Sequence, residues 1–257
     1  MSTYYGPQIV PVSTTGLVTY LDAQNVKSYP GTGTSWFDLS GQGRTATLVN
    51  GPSYDSATKE FVINGNSFHY IGLSTGLDYN TYFGSRNYGV CLGYRITNYG
   101  VGGNNNGASY LLHGAGSGYY GGWRLLDGNT GTPGAAYPLI PASVTVDAGG
   151  SSGYGMTITD TEARLYNFVA LSQTGSTVTM FLNGRTAQSS VFASYISGGG
   201  TDPQAKIGTA NTINGGGQPW GCGRFIGRWS FLMLYNRAIT VSEMQQNYAA
   251  FRGRLGI

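Results

Sequence analysis

Charge is scarce in this sequence. Asp, Glu, Lys and Arg make up 10% of its 257 residues, against about 25% in ordinary soluble domains. Glutamate occurs only at Glu60, Glu162 and Glu243, histidine only at His69 and His113, and cysteine only at Cys91 and Cys222. Two dispersed histidines and two dispersed cysteines do not make a zinc-ligand set. The start, Met1-Ser2-Thr3-Tyr4-Tyr5-Gly6-Pro7, lacks the basic and apolar regions of a secretory signal. With no CxxC spacing either, two buried thiols are expected in preference to a disulfide. No run approaches the ~18 apolar residues of a membrane helix, so no membrane insertion is expected. Glycine has no three-residue period, which excludes collagen. The 40% hydrophobic content without charge blocks excludes a disordered chain.

Glycine (43) and tyrosine (20) are abundant instead, the composition of a turn-rich β protein large enough for one domain. Strand patterns recur at 17–21, 60–63, 69–73, 88–96, 109–113, 164–171, 177–182, 185–192, 205–208 and 225–235. Residues 60–63 and 69–73 flank the turn Asn64-Gly65, and 173–176 close the pair 164–171/177–182. Val178, Met180 and Leu182 alternate onto one face, as a half-buried strand requires. Asn183-Gly184 supplies the two positive-φ residues of a type I′ hairpin. Glycine-rich loops fall between, and residues 100–155 read as a loop insertion. Residues 1–15 read as an extended arm and 16–257 as one domain.

One helix is expected near the C-terminus. Thr240-Val241-Ser242-Glu243 has capping-box spacing, and Ile239 with Met244 fits a hydrophobic staple. Met244, Tyr248 and Phe251 form one apolar stripe, and Gly253 is placed to end the helix. The fold class is therefore an all-β antiparallel sandwich with one short C-terminal helix.

Several segments carry a family pattern: 16–23 (GLVTYLDA), 28–41 (SYPGTGTSWFDLSG), 47–52 (TLVNGP), 168–171 (FVAL), 181–184 (FLNG), 234–240 (LYNRAIT) and 244–248 (MQQNY). Together they resemble the laminin-G-like, concanavalin A-like jelly-roll domains of structural proteins in tailed, especially marine, bacteriophages. The resemblance covers residues 16–257, and residues 4–10 look like the leader of such proteins. It implies a jelly-roll sandwich made in the host cytoplasm and built into a virion as a capsid decoration, fibre or spike component. Partners would be other capsid or tail proteins, copies of itself, and a host-surface glycan. Docking would fall to the arm (Tyr4, Tyr5, Pro7, Ile9) or to the basic C-terminal end (Arg252, Arg254). The segment from Arg224 onward holds five arginines against Glu243 alone, within a chain of net charge +3. Such an end suits either a solvated surface or an acidic partner. No sequence-specific nucleic-acid reading is expected, because no basic run or reading helix is present.

Glucanase relatives of this fold place carboxylates as Glu-x-Asp-x-Glu on one strand face, an acid and a nucleophile ~5 Å apart. Here only Asp160-Thr161-Glu162 offers two on one face, with no third. Asp22 and Asp38 are expected to bind loop amides. The GxSxG match at 149–153 lacks a following helix and a histidine partner, and the GxGxxG match at 116–121 lacks its helix and acidic residue. Some relatives bind Ca2+, but the turn at 64–67 has no carboxylate to offer. No cofactor and no catalysis are expected. Sugar stacking is the stronger chemistry: Tyr119, Tyr120 and Trp123 share one glycine-rich loop, and Trp220 lies beside Gln218 in another. The same aromatics would serve equally as loop anchors or subunit contacts. Trp36 and Trp229 are assigned to the core. A glycan-cleaving virion enzyme and a free lectin are the alternative functions.

Overall fold

β-Branched and aromatic residues at alternating positions dictate strands here, and the glycines between them dictate the turns. The computed structural model describes residues 10–64, 69–74, 77, 82, 85–99, 109–114, 123–127, 143–148, 154–157, 165–191, 205–208 and 225–257. In chain order the elements are β1 Leu17–Asp22, β2 Ser35–Trp36, β3 Ala46–Val49, β4 Ser53–Asp55, β5 Glu60–Asn64 and β6 Tyr70–Gly72. Next come β7 Asn87–Tyr99, β8 Ser109–Gly114, β9 Trp123–Asp127, β10 Ser143–Ala148 and β11 Tyr154–Thr157. The last are β12 Asn167–Thr174, β13 Thr177–Leu182, β14 Arg185–Val191, β15 Lys206–Ile207, β16 Phe225–Tyr235 and the helix α1 Val241–Leu255. Sheet I runs β14-β13-β12-β7-β16-β5-β4, with β1 also on β16, and sheet II runs β11-β10-β9-β8-β15-β6-β3-β2. Every described strand pair is antiparallel. The chain is an all-β sandwich with one C-terminal helix.

Two cores follow from strand alternation. Val90, Leu92, Tyr94 and Ile96 of β7 join Val169, Leu171, Val178, Met180, Leu232 and Leu234 between the sheets. There they meet Trp36, Leu48, Ile71, Leu112 and Ile207 of sheet II. Cys91, Phe168, Phe181, Phe231, Met233 and Tyr235 point the other way and pack under Ile239, Met244, Phe251 and Leu255 of the helical segment. Trp36 and Trp229 are both fully buried, as their sequence context implied.

A bulge at Ser230 makes both cores possible from one strand. Trp229 pairs with Tyr94 and Phe231 with Gly93, so Ser230 has no partner on β7. On the other edge of β16, residues 226–229 pair with β5 and residues 231–235 with β1. Ser230 sits at that joint, its carbonyl accepting the Ala23 N–H at 2.9 Å and its hydroxyl donating to Glu60 Oε1 at 2.7 Å. Such an extra residue shifts the in/out phase of everything after it.

Turns and caps show where local chemistry ruled. Asn183 and Gly184 have φ of 47° and 82°, the type I′ pattern. The β12–β13 connection is tighter than residues 173–176: Thr174 pairs with Thr177, leaving a two-residue turn with Gly175 at φ 57°. The capping box is present, Glu243 N–H donating to Thr240 Oγ1 at 3.2 Å and Thr240 N–H to Glu243 Oε2 at 2.8 Å. The helix passes through Gly253 and ends at Gly256, which is left-handed (φ 71°). The extra turn buries Leu255, one helical step beyond Phe251, and that contact outweighs one glycine's low propensity of about 1 kcal/mol.

Two sequence readings of topology differ from the structure. β5 and β6 belong to different sheets and do not pair, because Phe61 and Ile63 face the core from one layer and Ile71 from the other. Residues 65–68 between them lie outside the described residues. The stretch 100–155 holds β8–β11, which supply half of sheet II. Their short apolar runs are flanked by glycines that obscure the alternation.

Candidate functional site

The outer face of sheet I carries two territories, divided along β7. Gly89, Cys91, Gly93 and Arg95 occupy successive outward positions. The first three lie beneath the helical segment. A Cβ at Gly89 would sit 2.9 Å from Ile239 Cγ1, and one at Gly93 would sit 2.7 Å from Phe231 Cδ1. The Phe231 ring stacks on Phe251, centroids 3.7 Å apart and planes 16° apart. Buried Asn247, an inward-facing polar group that the stripe reading missed, ties this layer together. It donates to Tyr235 Oη at 3.0 Å and accepts from Ser13 N–H at 2.8 Å.

Arg95 begins the second, polar territory. It lies directly opposite Arg228 across the β7–β16 ladder. Arg228 is well supplied with partners: it donates to Asp55 Oδ2 at 2.6 Å and Thr58 Oγ1 at 2.7 Å, with Glu60 Oε2 3.7 Å away. Glu60 is 1% exposed and accepts from both Ser230 and the Tyr166 hydroxyl. The Arg95 guanidinium carbon lies over the Tyr166 ring, 4.9 Å from its centroid. No hydrogen-bond or ion-pair partner of Arg95 occurs among the described residues, and its Nε is buried without one.

Electrostatics fixes what this cluster can do. Burial, reinforced by the hydrogen bond and charge of Glu60, pushes the Tyr166 phenol well above its ordinary range, so it stays protonated and donates. The Arg228 hydrogen bond, helped by the Ala57 and Thr58 amides, holds Asp55 down at about 2. Tyr166 and Asp55 therefore bind and orient, and neither is poised to exchange protons near neutrality.

The other carboxylates with described side chains are equally committed. Arg254 grips Asp22 with two nitrogens at 2.5 and 2.9 Å, while Tyr20 Oη and Gln24 N–H also donate to it. Asp38 accepts the amides of Tyr20, Ser40 and Arg44. Burial raises the Asp38 pKa, but those bonds and the Ser40 hydroxyl outweigh it and hold the carboxyl below its ordinary range. Glu243 is held at about 2, chiefly by Arg237, against a smaller opposing effect of burial. The loop-amide reading of Asp38 is thus met, whereas Asp22 is chiefly an ion-pair partner. Among the described residues no three His, Cys, Asp or Glu side chains come together as a metal would need.

Of the residues singled out for sugar stacking, Tyr119, Tyr120, Gln218 and Trp220 lie outside the described residues. Trp123 opens β9, paired with Gly114 and Ala148, and so lies in a strand of sheet II. Tyr4, Tyr5, Pro7 and Ile9 of the arm also lie outside. The arm's last part is stitched to the helix end: Ser13 bonds Asn247 and Glu243, and Gln246 reaches the Pro11 carbonyl at 2.8 Å. Arg252 is exposed, while Arg254 is occupied by Asp22. Cys91 is buried and free; Cys222 lies outside the described residues, as do Asp160 and Glu162. Sequence reasoning missed Glu60, Arg95, Tyr166 and Arg228, which lie far apart in the chain. Only the odd polar residue within apolar strands, Glu60 beside Phe61 or Arg95 beside Tyr94, could have signalled them.

No protein-family model and no curated protein matches the sequence. Solved structures share the fold. The binding domain of botulinum neurotoxin serotype D/C superposes with a TM-score of 0.58 at 10% identity, over 93% of this chain and 52% of that one. Botulinum neurotoxin type C, whose cell entry depends on interaction with two ganglioside molecules, gives 0.57 at 9%, over 93% and 51%. Trypanosoma rangeli sialidase in complex with sialic acid gives 0.56 at 15%, over 93% and 33%. The chain therefore spans about half of the toxin chains and a third of the sialidase chain, and the likeness is one of fold.

Proposed function

We infer that this domain is a non-catalytic, glycan-binding adhesion module. The observation that carries the reading is the use of its carboxylates. All five whose side chains are described, Asp22, Asp38, Asp55, Glu60 and Glu243, are consumed by arginines, amides or hydroxyls of the fold itself. None of the five is left for acid–base work, while the sandwich is shared with a botulinum neurotoxin whose cell entry depends on two ganglioside molecules and with a sialidase in complex with sialic acid. The sugar-stacking residues in this reading are Tyr119, Tyr120, Trp123, Gln218 and Trp220. The setting is a tailed-phage virion, with the domain a decoration, fibre or spike component. Support for that comes from the sequence alone, through the resemblance of the segments within 16–52 and 234–248 to such phage proteins.

Fluorescently tagged protein on a glycan array tests the binding: selective retention is expected, and Trp220→Ala should weaken it. A blank array refutes the reading. Reducing-end release from bacterial capsular polysaccharide, lost in Glu162→Gln, would establish the enzyme alternative. Labelling purified particles for this protein tests the virion setting, and unlabelled particles would remove it.

A further inference from the structure

The polar territory of sheet I holds a cation, Arg95, that has no hydrogen-bond or ion-pair partner among the described residues. Two arginines face each other across adjacent strands, an arrangement that repels unless each is neutralised. Both nearby carboxylates serve Arg228: Asp55 at 2.6 Å and Glu60 at 3.7 Å. Among the described residues Arg95 meets only the face of Tyr166. A cation over an aromatic ring gains about 0.5–1 kcal/mol at exposed sites. That does not replace the hydrogen bonds of a guanidinium whose Nε is cut off from water.

The same geometry prepares Arg95 for a ligand. Glu60 holds the Tyr166 hydroxyl, which fixes the ring, and the ring supports the guanidinium from one side. Arg95 is half-buried, so its remaining donors open on one side. A planar fork held in one orientation suits a carboxylate, which takes two parallel N–H donors.

We propose that Arg95, seated on Tyr166, anchors an anion site that takes the carboxylate of an acidic sugar, a sialic or uronic acid. This rests on the glycan-binding reading and specifies its ligand class. The sugar ring would lie along the outer face of β7 and β16, and its carboxylate would give Arg95 the counter-charge that Asp55 and Glu60 give Arg228.

The test is a titration of the full chain, followed by NMR, with sodium glucuronate, N-acetylneuraminate, methyl glucoside and acetate. The two acidic sugars are expected to bind the native chain most tightly. Arg95→Gln should weaken them by about tenfold or more, the value of one charge-assisted hydrogen bond. Arg95→Lys should fall between, because an ammonium keeps the charge but not the fork. Thermal stability of Arg95→Gln should be unchanged or higher, since an orphaned donor is removed. The proposal is overturned if Arg95→Gln binds the acids as the native chain does, if acetate binds as well as glucuronate, or if Arg95→Gln melts markedly earlier, which would make Arg95 structural. Glycan retention on the array that Arg95→Gln leaves intact sinks this proposal alone. A blank array sinks the glycan reading instead.

Discussion

Replacing Gly93 with alanine isolates the layer between sheet I and its helix. Gly93 does not have a positive φ, so alanine meets no backbone obstacle and the effect is steric. The new methyl would lie 2.7 Å from Phe231 Cδ1 and nearer still to Cε1, well inside van der Waals contact. Phe231 cannot retreat freely, because its ring is stacked on Phe251 at 3.7 Å and packed on Phe168 at 5.8 Å. The helix must lift or the ring must leave its rotamer, and overpacking of this kind costs about 1–3 kcal/mol. For a chain of this size about 2 kcal/mol lowers Tm by roughly 4–8 °C. Thermal unfolding followed by circular dichroism reads the shift. Phe231→Leu removes the obstructing ring, so the double variant should be more stable than the sum of the single effects by about 1 kcal/mol or more. A Tm change below about 1 °C for Gly93→Ala, or strict additivity, would refute the account of the stripe.

The same substitution at Gly253 should act in the opposite direction. A Cβ there meets nothing within 4 Å, and a mid-helix Gly→Ala gains about 0.5–1 kcal/mol, seen as a higher Tm. Arg254→Met should destabilise by about 2–3 kcal/mol in chemical denaturation, below the full cost of breaking a buried pair because Arg254 is 34% exposed. Glu243 and Asp55 are held at about 2, so each favours the folded state above its ordinary carboxylate range and loses that contribution as pH falls towards 2. Tm should therefore drop between about pH 5 and 2, and Glu243→Gln should flatten the slope. Burial pushes the Cys91 thiol up to about 12, so in Cys222→Ser protein a maleimide at pH 8 should label only after denaturant is added.

Legibility in the sequence followed the range of the forces involved. The type I′ turn at Asn183-Gly184, the capping box at Thr240 and the limits of β16 are set within a few residues, and the sequence states them. Leu255 kept the helix going past Gly253 through a contact with a distant layer, which no local signal carries. β5 and β6 look like a hairpin because only the sheet partner, β16 for one and β3 for the other, separates them. The polar cluster was invisible for the same reason: Glu60, Arg95, Tyr166 and Arg228 come from different parts of the chain and meet only once sheet I exists. The core tryptophans, by contrast, were readable: Trp229 lies within the strand-like run 225–235 and Trp36 within the family-like segment 28–41.

The unpaired Ser230 explains how wet and dry surfaces share one ribbon. Arg228 and Phe231, three positions apart, emerge on the same side only because one residue between them is skipped by the ladder. Were Ser230 taken into the ladder instead, Leu232 and Leu234 would be turned out against the helix while Phe231 went inward. Descendants of this chain can lose the spare residue together with its bulge and keep both surfaces, but they cannot straighten the ribbon around it.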